Sequence, residues 1–143
     1  MRRYGETIRP GRTYTDRPGA YGVIRLGPDL LLTEQAQPGP ELQLPGGGID
    51  RGEGPAAALR REVYEETGWT IQVLRRMGAF QRYAYMPEYD LWARKICMVY
   101  LCRPVLRQGA PSEPGHRAVW APIETAARLL GNAGDRAFVA RLL

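Results

Sequence analysis

The sequence predicts an α+β or three-layer α/β/α domain rather than a regular doubly wound sheet. Strand-like and helix-like segments follow one another irregularly along the chain, whereas a doubly wound fold alternates strand and helix regularly. The 143 residues are about one domain's length, and a composition of 44% hydrophobic and 24% charged residues is typical of a folded protein. We therefore expect residues 1–143 to form a single domain around one core.

The first third of the chain carries mainly strand signals. Residues 1–17 are polar and are predicted to form an extended lead-in. The apolar runs 20–26 and 30–33 are separated by a Gly-Pro-Asp turn, which predicts a hairpin. A short strand at 42–44 leads into Pro45–Gly48, which we expect to form neither helix nor strand and to bring backbone close to a ligand.

A helix is predicted next, over residues 55–67. Pro55 suits the first helical position, an alanine-rich run follows it, and Gly68 provides a C-terminal stop. The later elements are predicted from aromatic and β-branched content or from apolar periodicity. They are strands at 71–74, 78–85, 92–101 and 118–120, a loop at 103–115, a helix at 123–130, and a final helix beginning at about Asp135 as its N-cap.

The charge composition limits the classes of partner. The net charge is +5, and the basic residues are 19 arginines and a single lysine, Lys95. A basic surface attracts polyanions such as nucleotides or nucleic acid, but the arginines form no long run of the kind found in nucleic-acid tails. No apolar run reaches the ~20 residues of a membrane span, and residues 1–6 are not followed by the apolar region of a secretory signal. We expect a cytoplasmic protein without a membrane partner.

The two cysteines and the one histidine exclude several kinds of site. Cys97 and Cys102 lie five residues apart on a predicted strand, so they face opposite sides and are not expected to form a disulfide. A structural zinc site needs more Cys or His ligands than the chain offers. His116 stands alone in the sequence, without an obvious nucleophile, which argues against a Ser-His or Cys-His mechanism.

Three glutamates on the predicted helix point to a metal. Glu62, Glu65 and Glu66 are spaced i, i+3 and i+4, so they share one helix face, at the C-terminal end where the helix dipole disfavours negative charge. Such a cluster needs a cation, and Mg²⁺ or Mn²⁺ prefers the carboxylate and carbonyl oxygens that this face and the preceding glycine loop supply. The alternative is a solvated acidic face paired with Arg60 and Arg61.

The spacing around this helix also matches a family signature. Gly47 is followed after five residues by Glu53, and after seven more by Arg61-Glu62-Val63, one residue, Glu65-Glu66, one residue, and Gly68-Trp69. This pattern, residues 47–69, resembles the complete signature of the Nudix (MutT/Nudix) hydrolase family. The resemblance implies an α/β/α sandwich around a mixed sheet. It also implies hydrolysis of a nucleoside diphosphate linked to another moiety, in which water attacks phosphorus while divalent ions hold the pyrophosphate.

The resemblance implies roles for the matching acidic positions. Glu62 and Glu66 would be the principal metal ligands. Glu65 would be a third ligand or the base that takes the proton from water, and the carbonyl of Gly46 would be a further ligand. The ions would be Mg²⁺ or Mn²⁺, and the substrate a small nucleotide.

Three further residues follow from the same resemblance. Arg61 corresponds to the family's arginine, which braces the carboxylates, and Glu53 corresponds to its loop glutamate. In some branches the base lies on a late loop, for which Glu113 is the candidate in this chain. The alternative for Glu113 is a solvated loop acid.

The substrate is less well indicated than the reaction. Tyr85, 16 residues after Trp69, resembles a tyrosine of the diadenosine-polyphosphate branch and could stack on a nucleobase, although a packing role is the alternative. The ADP-ribose branch would have proline where this chain has Ala84. We expect a nucleoside triphosphate or a dinucleoside polyphosphate, with ADP-ribose, a nucleotide sugar or an RNA 5′ end as alternatives.

Two non-enzymatic functions are the alternatives to a hydrolase. A catalytically silent Nudix domain that binds nucleotide or RNA would have lost metal ligands, and none is lost here. An unrelated RNA-binding module would need aromatic residues among Lys and Arg on strands, for which Arg82-Tyr83 and Trp92–Lys95 are the nearest match. The oligomeric state stays open between monomer and homodimer.

Overall fold

The computed structural model describes residues 1–143 as a mixed sheet of eight strands with three α-helices. The strands are β1 (Arg2–Gly5), β2 (Thr15–Leu26), β3 (Asp29–Gln35), β4 (Glu41–Gln43), β5 (Gly46–Gly48), β6 (Trp69–Met86), β7 (Leu91–Arg107) and β8 (His116–Pro122). The helices are α1 (Pro55–Thr67), α2 (Ile123–Leu129) and α3 (Ala133–Ala140), and a 3-10 turn at Pro87–Tyr89 joins β6 to β7. None of these helices has the length and apolar character needed to cross a bilayer.

The sheet has β2 near its centre. Its strand order is β1-β6-β7-β2-β3-β4, with β5 paired to β2 and β8 paired to β3. The pairs β1–β6 and β2–β7 are parallel, and the other pairs are antiparallel. This topology brings the chain segments on either side of α1 together in one mixed sheet, as expected.

The sheet carries a core on each face, where the sequence suggested one. Helix α1 contributes Leu59 and Val63 to a cluster on one face, and α2 and α3 contribute Ile123 and Phe138 to a larger cluster on the other. The layers are therefore helix, sheet and helices, which confirms the three-layer α/β/α prediction. The prediction of a single core was too simple, because a sheet covered on both faces has two separate apolar interiors.

The helix that carries the signature has the predicted bounds. Pro55 begins α1, and Gly68 ends it in the left-handed conformation (φ 77°), from which its backbone N–H donates to the carbonyl of Tyr64. A side chain at Gly68 would also collide with the backbone of Gly109. Local signals therefore fix both ends of this helix.

The glycine-rich segment is the main correction to the predicted elements. We expected Pro45–Gly48 to form no strand, but Gly46–Gly48 pairs with Gly19–Tyr21 of β2 as strand β5. A ladder needs only backbone N–H and C=O groups, which glycine supplies. The missing side chains instead allow α1 to approach the strand closely.

Other boundaries differ because pairing partners extend the strands. The predicted strands 71–74 and 78–85 form one bulged strand, β6, and β7 runs to Arg107 into the predicted loop because it pairs with β6 over its whole length. The polar lead-in contains β1. Asn132, not Asp135, caps α3, since its side chain accepts hydrogen bonds from two backbone amides at the start of the helix.

The cysteines lie as expected, on opposite faces. Cys97 belongs to the core beneath α2 and α3, and Cys102 to the core beneath α1. Both are free thiols. Burial raises the pKa of each to about 12, so neither is a reactive thiolate at neutral pH.

Candidate active site

The C-terminal half of α1 lies against strand β5. The backbone N–H of Gly46 donates a 2.9 Å hydrogen bond to Oε1 of Glu66, which is buried. A Cβ atom at Gly47 would lie only 2.7–2.9 Å from the carboxylate atoms of Glu62. The absence of a side chain at Gly47 therefore makes room for the Glu62 carboxylate, and the Gly46 amide binds that of Glu66, so the glycine backbone approaches both.

Arg61 organises the acidic residues around it. Its Nε and Nη2 donate to the two oxygens of Glu53, at 2.8 and 2.9 Å, and Nη1 donates to Glu62 at 3.0 Å and more weakly to Glu65 at 3.5 Å. Nη2 also donates to the carbonyl of Gly48, at 3.1 Å. The bidentate pair is the strongest geometry available to an arginine and a carboxylate. The predicted bracing role of Arg61 and the loop position of Glu53 are both consistent with this geometry.

The charges at these positions differ in how well they are compensated. The hydrogen bond from Arg61 lowers the pKa of Glu53 to about 2, and the acidic partners raise the pKa of Arg61. Burial, and after it the negative charge of Glu62, raise the pKa of Glu66 to about 8 against the opposite effect of the Gly46 amide. Burial also raises the pKa of Glu62. The two innermost carboxylates therefore lack sufficient positive charge nearby.

A cavity of about 270 Å³ opens beside these carboxylates, and most of its lining is polar. The chemical character of the lining residues changes from strand to strand across the sheet. Glu62, Glu66 and the β5 glycines lie at β2, basic residues lie toward β6 and β7, and amides lie toward β3 and β4. The lining residues are Tyr21, Gln35, Glu41, Gln43, Leu44, Gly46, Gly47, Gly48, Glu62, Glu66, Arg82, Lys95, Cys97, His116, Asn132 and Asp135.

His116 belongs to this site, although no pattern in the sequence indicated it. Pairing of β8 with β3 places its Nδ1 2.9 Å from the hydroxyl oxygen of Thr33 and 3.7 Å from Oε2 of Glu66. Burial lowers its pKa. No spacing pattern links His116 to α1, because the contact depends on a strand register.

Glu65 and Glu113 lie at the edge of the site. The backbone carbonyl of Glu65 accepts hydrogen bonds from the amides of Ser112 and Glu113, at 2.9 and 2.8 Å, which fastens the late loop to the end of α1. The exposed Glu113 side chain is close enough to influence the pKa values of Glu62 and Glu66. Neither Glu65 nor Glu113 lines the cavity.

Tyr85 lies away from the cavity. Side chains alternate along a strand, and Arg82 lines the cavity from the same strand, so Tyr85 faces the other side of the sheet. Its hydroxyl donates to Asp90 at 2.6 Å, and its ring packs against Trp92. The structure does not bring Tyr85 into the cavity and gives it the packing contacts of the alternative reading.

The donor set suits a hard divalent cation. Glu62 and Glu66 present carboxylate oxygens to one cavity, beside the backbone of Gly46–Gly48, and both have raised pKa values that a nearby cation would reverse. No three acidic or histidine side chains converge on a single point here, because Arg61 holds Glu62 and Glu65. The residues fit Mg²⁺ or Mn²⁺ in chemistry, and Arg61 currently balances part of their charge.

Comparison with known sequences identifies the family. Residues 16–142, nearly the whole chain, match the sequence profile of the NUDIX domain. The chain belongs to the NUDIX family. Within this Nudix domain the matched region includes α1, strand β5 and every strand that lines the cavity.

Two curated relatives carry names that refer to nucleotide substrates. A protein of Bacillus subtilis (strain 168), provisionally named an 8-oxo-dGTP diphosphatase, is 31% identical over 74 residues, which are 52% of this chain and 50% of that protein. The RNA pyrophosphohydrolase of Acidiphilium cryptum (strain JF-5) is 38% identical over 89 residues, which are 59% of this chain and 52% of that protein. The Nudix chain thus spans about half the length of these relatives.

Solved structures agree on the fold. The NUDIX hydrolase from Nitrosomonas europaea superimposes with a TM-score of 0.72 at 19% identity, over 90% of this chain and 88% of that one. At this identity the likeness concerns the fold. It confirms the mixed α+β architecture of the Nudix domain.

Proposed function

We propose that this Nudix domain hydrolyses a phosphoanhydride bond of a nucleotide substrate and depends on Mg²⁺ or Mn²⁺. The observation that carries the proposal is the meeting of Glu62 and Glu66 with the glycine backbone of β5 in one polar cavity. Phosphoryl transfer needs mainly positioning and charge neutralisation, which such a site can supply without a Ser or Cys nucleophile. When bound, the metal ions would polarise the phosphoryl oxygens and lower the pKa of water.

Residues of the chain would bind the ions, orient the ligands and accept a proton from water. Glu62 and Glu66 would hold the ions, with the carbonyl of Gly46 as a further donor. Arg61, tied to Glu53, keeps Glu62 oriented toward the cavity. Proton transfer from water would fall to Glu65, with Glu113 as the alternative, because Glu65 lies on α1 beside Glu62 and Glu66 and its carbonyl holds the loop that carries the exposed Glu113.

The cavity favours a nucleotide over a smaller diphosphate. Amide side chains on its β3 and β4 side include Gln43, whose Nε2 donates to Gln35 at 2.6 Å. Amides of this kind can pair with the edge of a nucleobase. A nucleoside triphosphate or a dinucleoside polyphosphate remains the first expectation for the substrate.

An RNA 5′ end is the second candidate. The names of the relatives include RNA pyrophosphohydrolase, and the cavity is continued by a smaller one of about 70 Å³ that shares Tyr21, Gly48 and Lys95 with it. A site that extends in this way leaves room for a chain beyond the phosphates.

A substrate panel tests the reaction. The purified protein is incubated with nucleoside triphosphates, including 8-oxo-dGTP, dinucleoside polyphosphates, ADP-ribose, nucleotide sugars and 5′-triphosphorylated RNA, in Mg²⁺, Mn²⁺ or EDTA. Products are separated by chromatography. We expect turnover of at least one substrate that EDTA abolishes. Turnover that is insensitive to EDTA would contradict the metal-dependent mechanism.

Isosteric variants test the ligands. Glu66→Gln keeps an oxygen that can accept from Gly46, but removes the charge, so we expect roughly a thousandfold loss of kcat with the fold retained by circular dichroism. Glu124→Gln, an exposed residue of α2, is the matched control and should keep full activity. Equal activity in the two variants would remove Glu66 from the mechanism.

A further inference from the structure

Three basic side chains form a row across the sheet. Arg82 of β6 is directly opposite Lys95 of β7, and Lys95 is directly opposite Arg17 of β2. Residues that face each other on neighbouring strands point to the same side of a sheet, and strands lie about 4.8 Å apart. Arg82, Lys95 and Arg17, here called the cationic row, therefore start from backbone positions that span about 10 Å of one face.

No acidic residue forms an ion pair with the cationic row, although the charges of Asp135 and Glu88 act on Arg82 and Lys95 from a greater distance. None of its members takes part in the ion pairs of the structure, and none donates a side-chain hydrogen bond. Arg94, the next residue on β7, is by contrast paired with Asp16 at 3.2 Å. Like charges directly opposite one another destabilise a sheet. The row is thus an unfavourable arrangement for the isolated fold.

The surroundings of Lys95 add to this cost. Lys95 is the only lysine of the chain and is partly buried, and burial, followed by the charge of Arg82, lowers its pKa. Every fully buried side-chain nitrogen in the structure has a hydrogen-bond partner. Because the Lys95 ammonium has no such partner, it is not fully buried and can be reached from outside. Arg17 lies with its guanidinium 5.0 Å from the ring centre of Tyr89, a contact that holds the side chain without neutralising it.

The row crosses the sheet beside the candidate metal ligands and reaches from the larger cavity into the smaller one. Arg82 and Lys95 line the larger cavity together with Glu62 and Glu66. Lys95 and Arg17 line the smaller cavity that follows it. A ligand seated on the carboxylates could therefore extend along all three cations.

We propose that the cationic row binds phosphate groups of the substrate that lie beyond the bond being cleaved. This rests on the proposed function, since it assumes that the cleaved linkage sits at Glu62 and Glu66. Arginine forks and a lysine ammonium bind non-bridging phosphate oxygens through charge-assisted hydrogen bonds, whereas a neutral sugar offers no charge to them. Such phosphates occur in the bridge of a dinucleoside polyphosphate and in the backbone of a 5′-triphosphorylated RNA.

Binding without catalysis tests the row separately from hydrolysis. Calorimetry with inorganic tripolyphosphate in EDTA measures the affinity of the metal-free protein. We expect Lys95→Gln and Arg82→Gln to weaken binding about tenfold each, and exposed Arg17→Gln about threefold. Arg103→Gln, which removes an exposed arginine from β7 outside both cavities, is the matched control and should bind as the wild type does. Undetectable wild-type binding at millimolar concentrations, or equal affinity in all variants, would overturn the proposal.

Kinetics distinguish the source of the phosphates. KM is measured for diadenosine tetraphosphate, a short 5′-triphosphorylated oligoribonucleotide and ADP-ribose. We expect Lys95→Gln to raise KM about tenfold for at least one of the first two, and less than twofold for ADP-ribose, which has only the cleaved diphosphate. The substrate whose KM rises more in Lys95→Gln identifies the source of the phosphates that the row binds. An equal penalty on ADP-ribose would contradict a role for additional phosphates.

Stability separates a binding role from a structural one. Because Lys95→Gln relieves repulsion, its melting temperature should equal or exceed that of the wild type while its affinity falls. A lower melting temperature with unchanged affinity would assign Lys95 to the fold instead. If tripolyphosphate binding depends on Lys95 but no substrate is hydrolysed, the proposal for the cationic row holds and the proposed activity is wrong. If a substrate is hydrolysed and Lys95→Gln leaves its KM unchanged, the proposed activity holds and the proposal for the row is wrong.

Discussion

Arg61 and the cationic row lie near the same cavity but differ in how their charges are compensated. Arg61, on α1, is within ion-pair distance of Asp50, Glu53, Glu62 and Glu65. The cationic row of Arg82, Lys95 and Arg17 has no such partner and is aligned so that its members repel one another. A cation with internal partners builds the site, whereas cations without partners stay available to a ligand. Charge compensation, rather than charge alone, therefore separates a structural arginine from a binding one.

Among variants that test this comparison, the largest effect is expected from removing Arg61, the arginine with acidic partners. Arg61→Gln removes the bidentate contact with Glu53 and the contact with Glu62, so we expect kcat to fall about a hundredfold, as for residues that orient metal ligands. The free energy of unfolding should fall by about 1–2 kcal/mol, a modest value because the side chain is 30% exposed. Urea denaturation and steady-state kinetics measure both.

The neighbouring arginine gives the control for this prediction. Arg60 is exposed and has no ion pair, so Arg60→Gln carries the same change in charge without losing a contact. If the two variants behaved alike, Arg61 would have no organising role. The comparison with Lys95→Gln is sharper still, because there stability is expected to stay constant or to rise.

A smaller effect should follow from moving a carboxylate without removing it. Gly47→Ala introduces a Cβ 2.7 Å from Cδ of Glu62, and the flexible glutamate must move to make room. We expect about a tenfold loss of kcat with little change in melting temperature. Gly54→Ala has open space around the new methyl group and should match the wild type. Full activity in Gly47→Ala would show that the position of Glu62 is not critical.

The smallest expected effect is on the pH dependence of stability and comes from Asp135, an acidic residue that lines the cavity. Burial raises the pKa of Asp135 from its ordinary 3.8 to about 7. The folded state therefore favours the protonated form. This group's contribution to stability is complete below pH 3.8 and is lost as the pH rises through about 7. Asp135→Asn should flatten the decline of unfolding free energy between about pH 4 and 7. Denaturant titrations at several pH values test this, and identical slopes would contradict it.

The sequence was most informative where the signals are local. The ends of α1 depend on Pro55 and Gly68, and the spacing of Glu62, Glu65 and Glu66 follows from the helix itself, so both could be predicted. The hairpin of β2 and β3 was also predicted correctly, since its turn residues lie between the two strands.

The sequence was least informative where function depends on strand register. Lys95 meets Arg82 through one pairing and Arg17 through another, and no spacing in the chain encodes either contact. His116 reaches Glu66 in the same way, through the pairing of β8 with β3. Tyr85 shows the opposite case: its distance from the signature suggested a substrate contact, but strand alternation turns it to the other face.

The parallel pairing of β2 with β7 has a consequence for how the protein is made. Thr15 pairs with Ala93, and Ile24 pairs with Cys102. Strand β2, which lies next to the candidate site, therefore cannot form this pairing until β7 has been synthesised. A nascent chain that has emerged only as far as Trp69 already holds the whole signature but none of the β7 residues that line the cavity. Contacts between such distant segments slow folding, because a long loop must close first. The candidate site is therefore expected to be among the last parts of the domain to form, even though its acidic residues are translated early.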